Sequence, residues 1–585
     1  MERNARTVAT LDTTATLAAP ARTGRGRLDL STPVMLLFAA ALCVLIVLPL
    51  GWLLVFAFRD QAGRTTLANF QRLLTDPMFV EPLLTTFTIA GSVSLACGLV
   101  AAPMAWLVAR SDMPARNAVR LIVTASFVTP PFLGAIAWEL LAAPNSGLLN
   151  QLWRAVTGAP PDQALFDIYT LAGLIFVISC YTFPYVFVLV ANALERVPGE
   201  LEDAAAMLGS SRWRTARRIT VPLALPALLA GLLVAFLQAM TLFGSPAILA
   251  LPAGFHTITT KIWSLFQYPP KPELAAAASL PLLVLTVVLL RAQSAILGRR
   301  GYAVVGGKGG AARLVDLGAL RWPAFALCIA LLCLPVFLPY GALVNAAFSK
   351  VPSQLLTPDR FTLHNFAFVF FELSATKLAM KNTFLLGAMA ATAGALMALV
   401  VAYLTSRATG RGHRVLGFLA MAPIAVPGIV LGVGLFLAYT RPPFVLYGTL
   451  WILLLAYVTI ELPAAYQQMQ SAFHSVHHEL EEAGRIFGAT RLRVLKDVTA
   501  PLLRSSLVAT WCFVFVAVVR ELSAAVILFT SETKVLSVLI FDLKESGDLA
   551  AIAVLGLSML VLTALVIVAA NSLLGGGAAA RLRNN

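Results

Sequence analysis

Charge is scarce in this chain of 585 residues: only 12% are Asp, Glu, Lys or Arg, about half the roughly 25% of an average soluble domain. That deficit, with 59% hydrophobic residues, excludes an ordinary cytosolic enzyme, a disordered chain and a collagen-like one. Cysteine is sparse as well. The six, at 43, 97, 180, 328, 333 and 512, all fall inside apolar runs and read as small buried hydrophobes, which excludes a disulfide framework. Histidine is equally rare. His474 and His478 have i, i+4 spacing, but no cysteine lies near them, and His256 and His364 stand alone, so no metal ligand set is expected. A phosphate-binding loop, G-x-x-x-x-G-K-[ST], is missing too. The nearest approach, Gly306-Gly-Lys308-Gly309, has Tyr302 where the first glycine belongs and glycine in place of the hydroxyl.

What is present is long apolar runs separated by polar gaps. A helix needs roughly 20 apolar residues to cross the hydrocarbon core, and twelve candidates emerge. The first six are Pro33–Phe58, Leu83–Val108, Leu121–Ala142, Ile168–Ala191, Leu223–Leu251 and Leu274–Leu290. The second six are Pro323–Phe348, Thr383–Leu404, Val415–Tyr439, Val445–Ala465, Leu502–Phe529 and Ala550–Ala570. The expected fold is all-α, with about twelve transmembrane helices. With the N-terminus inside, 29 of the 43 Lys and Arg lie in cytoplasmic segments and 13 in outer ones. This positive-inside bias accounts for the formal net charge of +15 and leaves no basic domain for nucleic acid. Residues 1–32 are too long and polar to begin a cleaved signal peptide and read as a cytoplasmic tail.

The chain is internally duplicated. Leu67-Ala-Asn-Phe70 recurs as Leu363-His-Asn-Phe366, and Pro131 as Pro427, both at an offset of 296. Tyr181-Thr-Phe-Pro184 matches Ile460-Glu-Leu-Pro463 at an offset of 279, a shortening of the loop between the third and fourth spans of the second half. The expected division is therefore a six-span unit over 33–298, a cytoplasmic linker over 299–322, a second unit over 323–575 and a short cytoplasmic tail over 576–585. Six is even, so both units keep one orientation and can pack about an axis along the membrane normal.

The longest cytoplasmic loop of each half carries one pattern. The first reads Glu200-Leu-Glu202-Asp203-Ala204-Ala205-Ala-Met-Leu208-Gly209 and, after nine residues, Ile219-Thr-Val-Pro222. The second reads Glu479-Leu-Glu481-Glu482-Ala483-Gly484-Arg-Ile-Phe487-Gly488 and, after nine residues, Val498-Thr-Ala-Pro501. Acids suit a helix N-terminus, glycine a turn of positive φ, and proline the first turn of the next helix. Each loop is expected to form a short helix, a glycine turn, a second amphipathic helix and a proline opening the next span. Ala204, Ala205 and Leu208, and likewise Ala483, Gly484 and Phe487, would form a face that a partner's backbone can approach closely. Arginines and a lysine follow at 212, 214, 217 and 218, and at 491, 493 and 496.

These loops resemble the EAA loop of permeases in binding-protein-dependent ABC importers, with Asp203 in place of the first glutamate and Gly484 in place of the second alanine. The two matched loops and the duplicated layout together resemble fused, two-domain permease subunits. The resemblance implies two type I importer-like domains in a bacterial inner membrane and a coupling helix in each loop. Glu202, Asp203, Ala204, Ala205 and Gly209, with Glu481, Glu482, Ala483, Gly484 and Gly488, would be the residues that couple to an ATPase. It also implies a separate ATPase subunit, by default a homodimer, and a periplasmic solute-binding protein. ATP and magnesium would sit on the partner, this chain would bind no cofactor of its own, and it would be no enzyme.

Ionisable residues inside spans mark candidate paths. Glu139, Glu461, Arg520 and Glu521 are such residues. Arg520 and Glu521 point about 100° apart on a helix and do not simply pair with each other; Arg520 with Glu461 is one pairing the pattern allows, as a structural ion pair or as part of the path. Prolines at 130, 131, 184, 423, 427 and 463 would break or kink four spans. Strings such as Leu242-Phe-Gly-Ser-Pro-Ala-Ile-Leu249 and Arg520-Glu-Leu-Ser523 are similar to those of the ferric-iron type, which makes ferric iron the expected substrate; 2-aminoethylphosphonate and thiamine are the alternatives. A proton-coupled secondary transporter also has two six-span halves but does not need paired EAA loops, and a membrane scaffold or insertase subunit would not depend on a periplasmic solute.

Overall fold

The computed structural model describes residues 31–299, 314–407 and 411–582. The expected N-terminal tail up to residue 30, Gly306–Gly309 and most of the linker lie outside them. Nine helices among the described residues are long and apolar enough to cross a bilayer, and three bent pairs raise the number to twelve. In order, spans 1 to 6 are Pro33–Ala57, Pro77–Arg110, the pair Arg116–Val128 with Pro131–Ala142, Leu171–Glu195, Ala216–Thr241 and Pro272–Ile296. Spans 7 to 12 are Gly318–Phe348, Ser374–Ser406, the pair Gly412–Ala425 with Gly428–Tyr439, Leu450–His474, the pair Leu495–Leu502 with Arg504–Val519, and Leu549–Ala570.

Proline decides where these helices break and where they merely widen. Spans 3 and 9 bend by 101° and 110° at Pro130-Pro131 and Pro427, where the residue before proline is pushed out of the helical region. Pro184 and Pro463 lie inside continuous helices, so two of the four spans expected to kink run on unbroken. Four π turns, Cys43–Val47, Ala216–Thr220, Cys333–Phe337 and Leu495–Thr499, each end two residues before a proline: Pro49, Pro222, Pro339 and Pro501. Proline offers no N–H and its ring collides with the carbonyl four residues back. Each turn instead closes through the residue before the proline, whose N–H reaches the carbonyl five residues back.

Spans 5 and 11 are shorter than their apolar runs. Helix ends at Thr241 and Val519, and the remaining apolar residues form the separate short helices Gly244–Leu249 and Ala525–Leu528. Both connections are strapped alike. The Thr86 hydroxyl accepts the Ile258 N–H at 2.9 Å, and Thr383 accepts that of Leu536 at 2.8 Å.

Each half packs span 2 against spans 4 and 5, or span 8 against 10 and 11. Alanine, glycine and cysteine at the contacts (Ala90, Cys97 and Ala101, Ala390 and Ala398) let backbones approach closely, the usual way helices associate in lipid. The first span of each half packs both on the last span of its own unit and on the other half. Leu48–Ala57 packs on Gly428–Tyr439 of the second half, and Leu338–Phe348 packs on Pro131–Ala142 of the first. At Gly434 an added Cβ would lie 3.0 Å from the Pro49 carbonyl oxygen, so a side chain there would have to push the crossing apart.

Candidate functional site

Both loops fold as one design. Gly199–Met207 and His478–Ile486 are helices that end at Gly209 (φ +75°) and Gly488 (φ +84°). The Ser210 N–H reaches the Ala205 carbonyl at 3.0 Å, and Ala489 reaches Gly484 at 3.2 Å, the glycine-ended helix stop in which a left-handed residue closes the last turn. The Ser211 and Thr490 hydroxyls then accept the N–H of Arg214 and Arg493 at 3.4 and 3.3 Å, starting the next helix. In the first half that helix runs through a π turn directly into span 5 rather than forming the separate helix expected from sequence, whereas in the second half a 70° bend at Leu503 sets the segment up to Leu502 apart from Arg504–Val519.

The two acid positions of each loop part company. Glu202 turns inward: its carboxylate pairs with the guanidinium of Arg110, 1% exposed, and accepts the Thr220 hydroxyl at 2.7 Å. Glu481 is buried and accepts the Thr499 hydroxyl at 3.1 Å. These glutamates fasten the loop to the span that follows it. Asp203, Ala204, Glu482 and Ala483 are exposed, whereas Ala205 and Gly484 are half-buried. The Gly484 departure has a steric reason, since a Cβ there would lie 3.2 Å from Val494. The outermost residues are apolar: Met207 and Leu208 are 88% and 89% exposed, and Ile486 and Phe487 82% and 91%. Leu208 and Phe487 were expected at a docking face; Met207 and Ile486 were not singled out, although their matched spacing in the two loops marked them.

Behind the first loop lies a cavity of about 690 Å³, walled by Trp106, Arg110, Glu202, Thr220 and Leu228 and covered by Leu314–Asp316. The end of the linker is pinned here: Val315 donates to the Arg110 carbonyl at 2.7 Å, and Leu317 to Asp112 Oδ1 at 2.9 Å.

The four intramembrane charges do not form one cluster. Glu139 is buried and accepts the Tyr169 hydroxyl and the Lys544 ammonium, each at 2.6 Å, on the same oxygen. Lys544 comes from the other half, on helix Leu536–Ser546. Arg520 donates to the Phe127 carbonyl, freed at the break in span 3, so the pairing with Glu461 suggested by sequence is not its hydrogen bond. Glu521 accepts the N–H groups of Ala524 and Ala525 at 3.0 and 3.3 Å, capping the short helix that follows. Glu461, on span 10, lies within electrostatic reach of Arg520 and Glu521. Thr129 and Tyr340 join hydroxyls across the halves.

The histidines build nothing among the described residues, where no group of three metal-ligating side chains forms. Burial, reinforced by Lys261, holds His256 below the usual histidine range, which keeps it neutral at pH 7.

Curated relatives match from a third to about four fifths of the chain. The ferric transport system permease protein FbpB of Actinobacillus pleuropneumoniae is 27% identical over 425 residues, 72% of this chain and 60% of that one. A putative ferric transport system permease protein, FbpB 1 of Haemophilus influenzae, is 25% identical over 469 residues, 79% of this chain and 72% of that one. The spermidine/putrescine transport system permease protein PotB of Escherichia coli is 29% identical over 218 residues, 34% of this chain and 77% of that one. The match thus spans only 60% of the first relative's length. The family described as "binding-protein-dependent transport system inner membrane component" matches twice, at residues 94–301 and 390–575, and each match contains one of the two loops. With duplicated spans, duplicated loops and two matches that together cover more than half of its length, this chain belongs to that family of multi-pass inner-membrane transport components.

Proposed function

We propose that the chain is the membrane-spanning subunit of an ABC importer, carrying ferric iron handed over by a periplasmic binding protein. A separate ATPase, two copies of one subunit, docks on the two loops and drives the cycle. Both termini lie in the cytoplasm, on the side of the loops and of most Lys and Arg. One observation carries this reading: matched apolar knobs, Met207-Leu208 and Ile486-Phe487, stand almost fully exposed beside positive-φ glycines. Exposed apolar residues on a charged loop mark a contact surface, and two copies at one end of the bundle suit a twofold motor. Ferric iron is favoured because two of the three relatives that match more than two thirds of the chain are named for ferric transport, while the third carries no substrate in its name.

The test is reconstitution of the chain with its ATPase and binding protein in liposomes. Iron-loaded binding protein is expected to stimulate ATP turnover and to deliver iron to the lumen. Stimulation by protein loaded with 2-aminoethylphosphonate or thiamine, but not iron, would replace the substrate. No stimulation by any loaded binding protein would remove the importer reading.

A further inference from the structure

The halves also meet at the end of the bundle away from the two loops. Span 3 starts just after Arg110, which holds the first loop, and reaches Glu139 near its far end. Contacts at this end can be matched between the halves residue by residue. The straps from Thr86 to Ile258 and from Thr383 to Leu536 set an offset of 278 for the segments before spans 6 and 12. The helices after the breaks in spans 3 and 9 start at Pro131 and Gly428, an offset of 297. On these registers Phe541 is the counterpart of Trp263, Lys544 of Phe266 and Phe436 of Glu139.

Trp263 and Phe541 touch each other, edge to face, with ring centres 5.7 Å apart and planes at 90°. Counterparts that touch must lie beside the axis relating the two halves, where a path between them would run. Phe243, fully buried, closes on both rings at 6.1 and 5.8 Å. The flanking contacts match in place but differ in chemistry. Phe266 meets Phe436 edge-on at 5.2 Å, whereas Lys544 meets Glu139 as an ion pair at 2.6 Å, with side chains 17% and 8% exposed. Glu139 Oε2 is buried with no hydrogen-bond partner among the described residues. A charge pair this buried is stable only while its members stay together or regain water.

We infer that Trp263 and Phe541 form an outer gate across the axis between the halves, and that the ion pair of Glu139 with Lys544 latches it shut until a binding protein docks. Parting the halves at this end breaks the ion pair and the three-ring cluster together, and water entering the cleft then solvates the two charges. Glu139 and Lys544 are positioning residues, which act by setting how the halves rest. Because the counterpart contact is aromatic, the latch is one-sided, and one charge change releases it.

This inference rests on the importer reading and deepens it. The experiment uses the complex of chain and ATPase in liposomes and reads ATP turnover with and without iron-loaded binding protein. Glu139→Gln and Lys544→Met are expected to raise turnover without binding protein by about fivefold or more, the lower range of coupling between distant sites. A gain of this kind cannot come from loss of folded protein. Lys544→Arg, which keeps the charge, should recover most of the restraint. In the double variant Trp263→Cys/Phe541→Cys, a short bismaleimide should join the two positions and abolish stimulation by loaded binding protein, while the treated parent still responds. Unstimulated turnover within about twofold of the parent in both single variants would overturn the latch. Full stimulation of the cross-linked double variant, or failure of the cross-link to form, would overturn the gate. A parent chain that responds to no loaded binding protein would instead remove the importer reading.

Discussion

At the scale of single residues, the ion pair between Arg110 and Glu202 ties the first loop to the bundle, with side-chain exposures of 1% and 14%. Removing one partner of a buried pair strands the other, at a cost of about 3–5 kcal/mol. Arg110→Met and Glu202→Gln should each lower the thermal unfolding midpoint in detergent clearly, and the double variant Arg110→Met/Glu202→Leu should lose less than their sum. Single variants that melt with the parent would show that the pair contributes little. Glu139, Glu461, Arg520 and Glu521 stood out in the sequence because charge inside an apolar run is rare. Their partners did not. Lys544 lies 405 residues from Glu139, in a stretch that reads as an ordinary outer loop, and the Phe127 carbonyl belongs to backbone that any residue supplies.

At the scale of elements, the loop helix and its glycine stop were fully legible, since acids, glycine and proline each impose a local geometry. The inward turn of Glu202 and Glu481 was not, because helical periodicity does not say which face meets the bundle. Nothing lies within 4 Å of a Cβ added at Gly209, so alanine there should cost only the strain of positive φ, about 1 kcal/mol. Gly209→Glu or Gly488→Glu adds a charge to the apolar tip. We expect either to insert normally into the membrane yet block capture of the ATPase. Leu208→Ser combined with Phe487→Ser should lower co-purified ATPase about tenfold or more, as loss of exposed anchor residues does. Equal ATPase recovery with all of these variants would place the docking surface elsewhere. The early ends of spans 5 and 11 also escaped the sequence, because Gly244–Leu249 and Ala525–Leu528 are as apolar as the helices before them.

At the scale of the whole molecule, the two halves are interlocked rather than merely adjacent. Each first span packs on the broken third span of the other half, and Tyr439 donates to the Val44 carbonyl at 2.8 Å. Residues 1–310 and 311–585, produced as separate chains, should therefore co-purify through a tag on one of them, and either alone should be far more sensitive to protease. Stable, protease-resistant halves with no association would contradict the interlock. The number of spans, the duplication, the clustering of positive charge and the two loops follow from the order of residues alone, because each expresses a local periodicity or spacing. The packing of each first span on the other half, the tether from Arg520 to Phe127 and the ion pair between Glu139 and Lys544 came only with the tertiary structure. Apolar helices in lipid gain little by burying one face rather than another, so close packing between distant segments decides which of them meet.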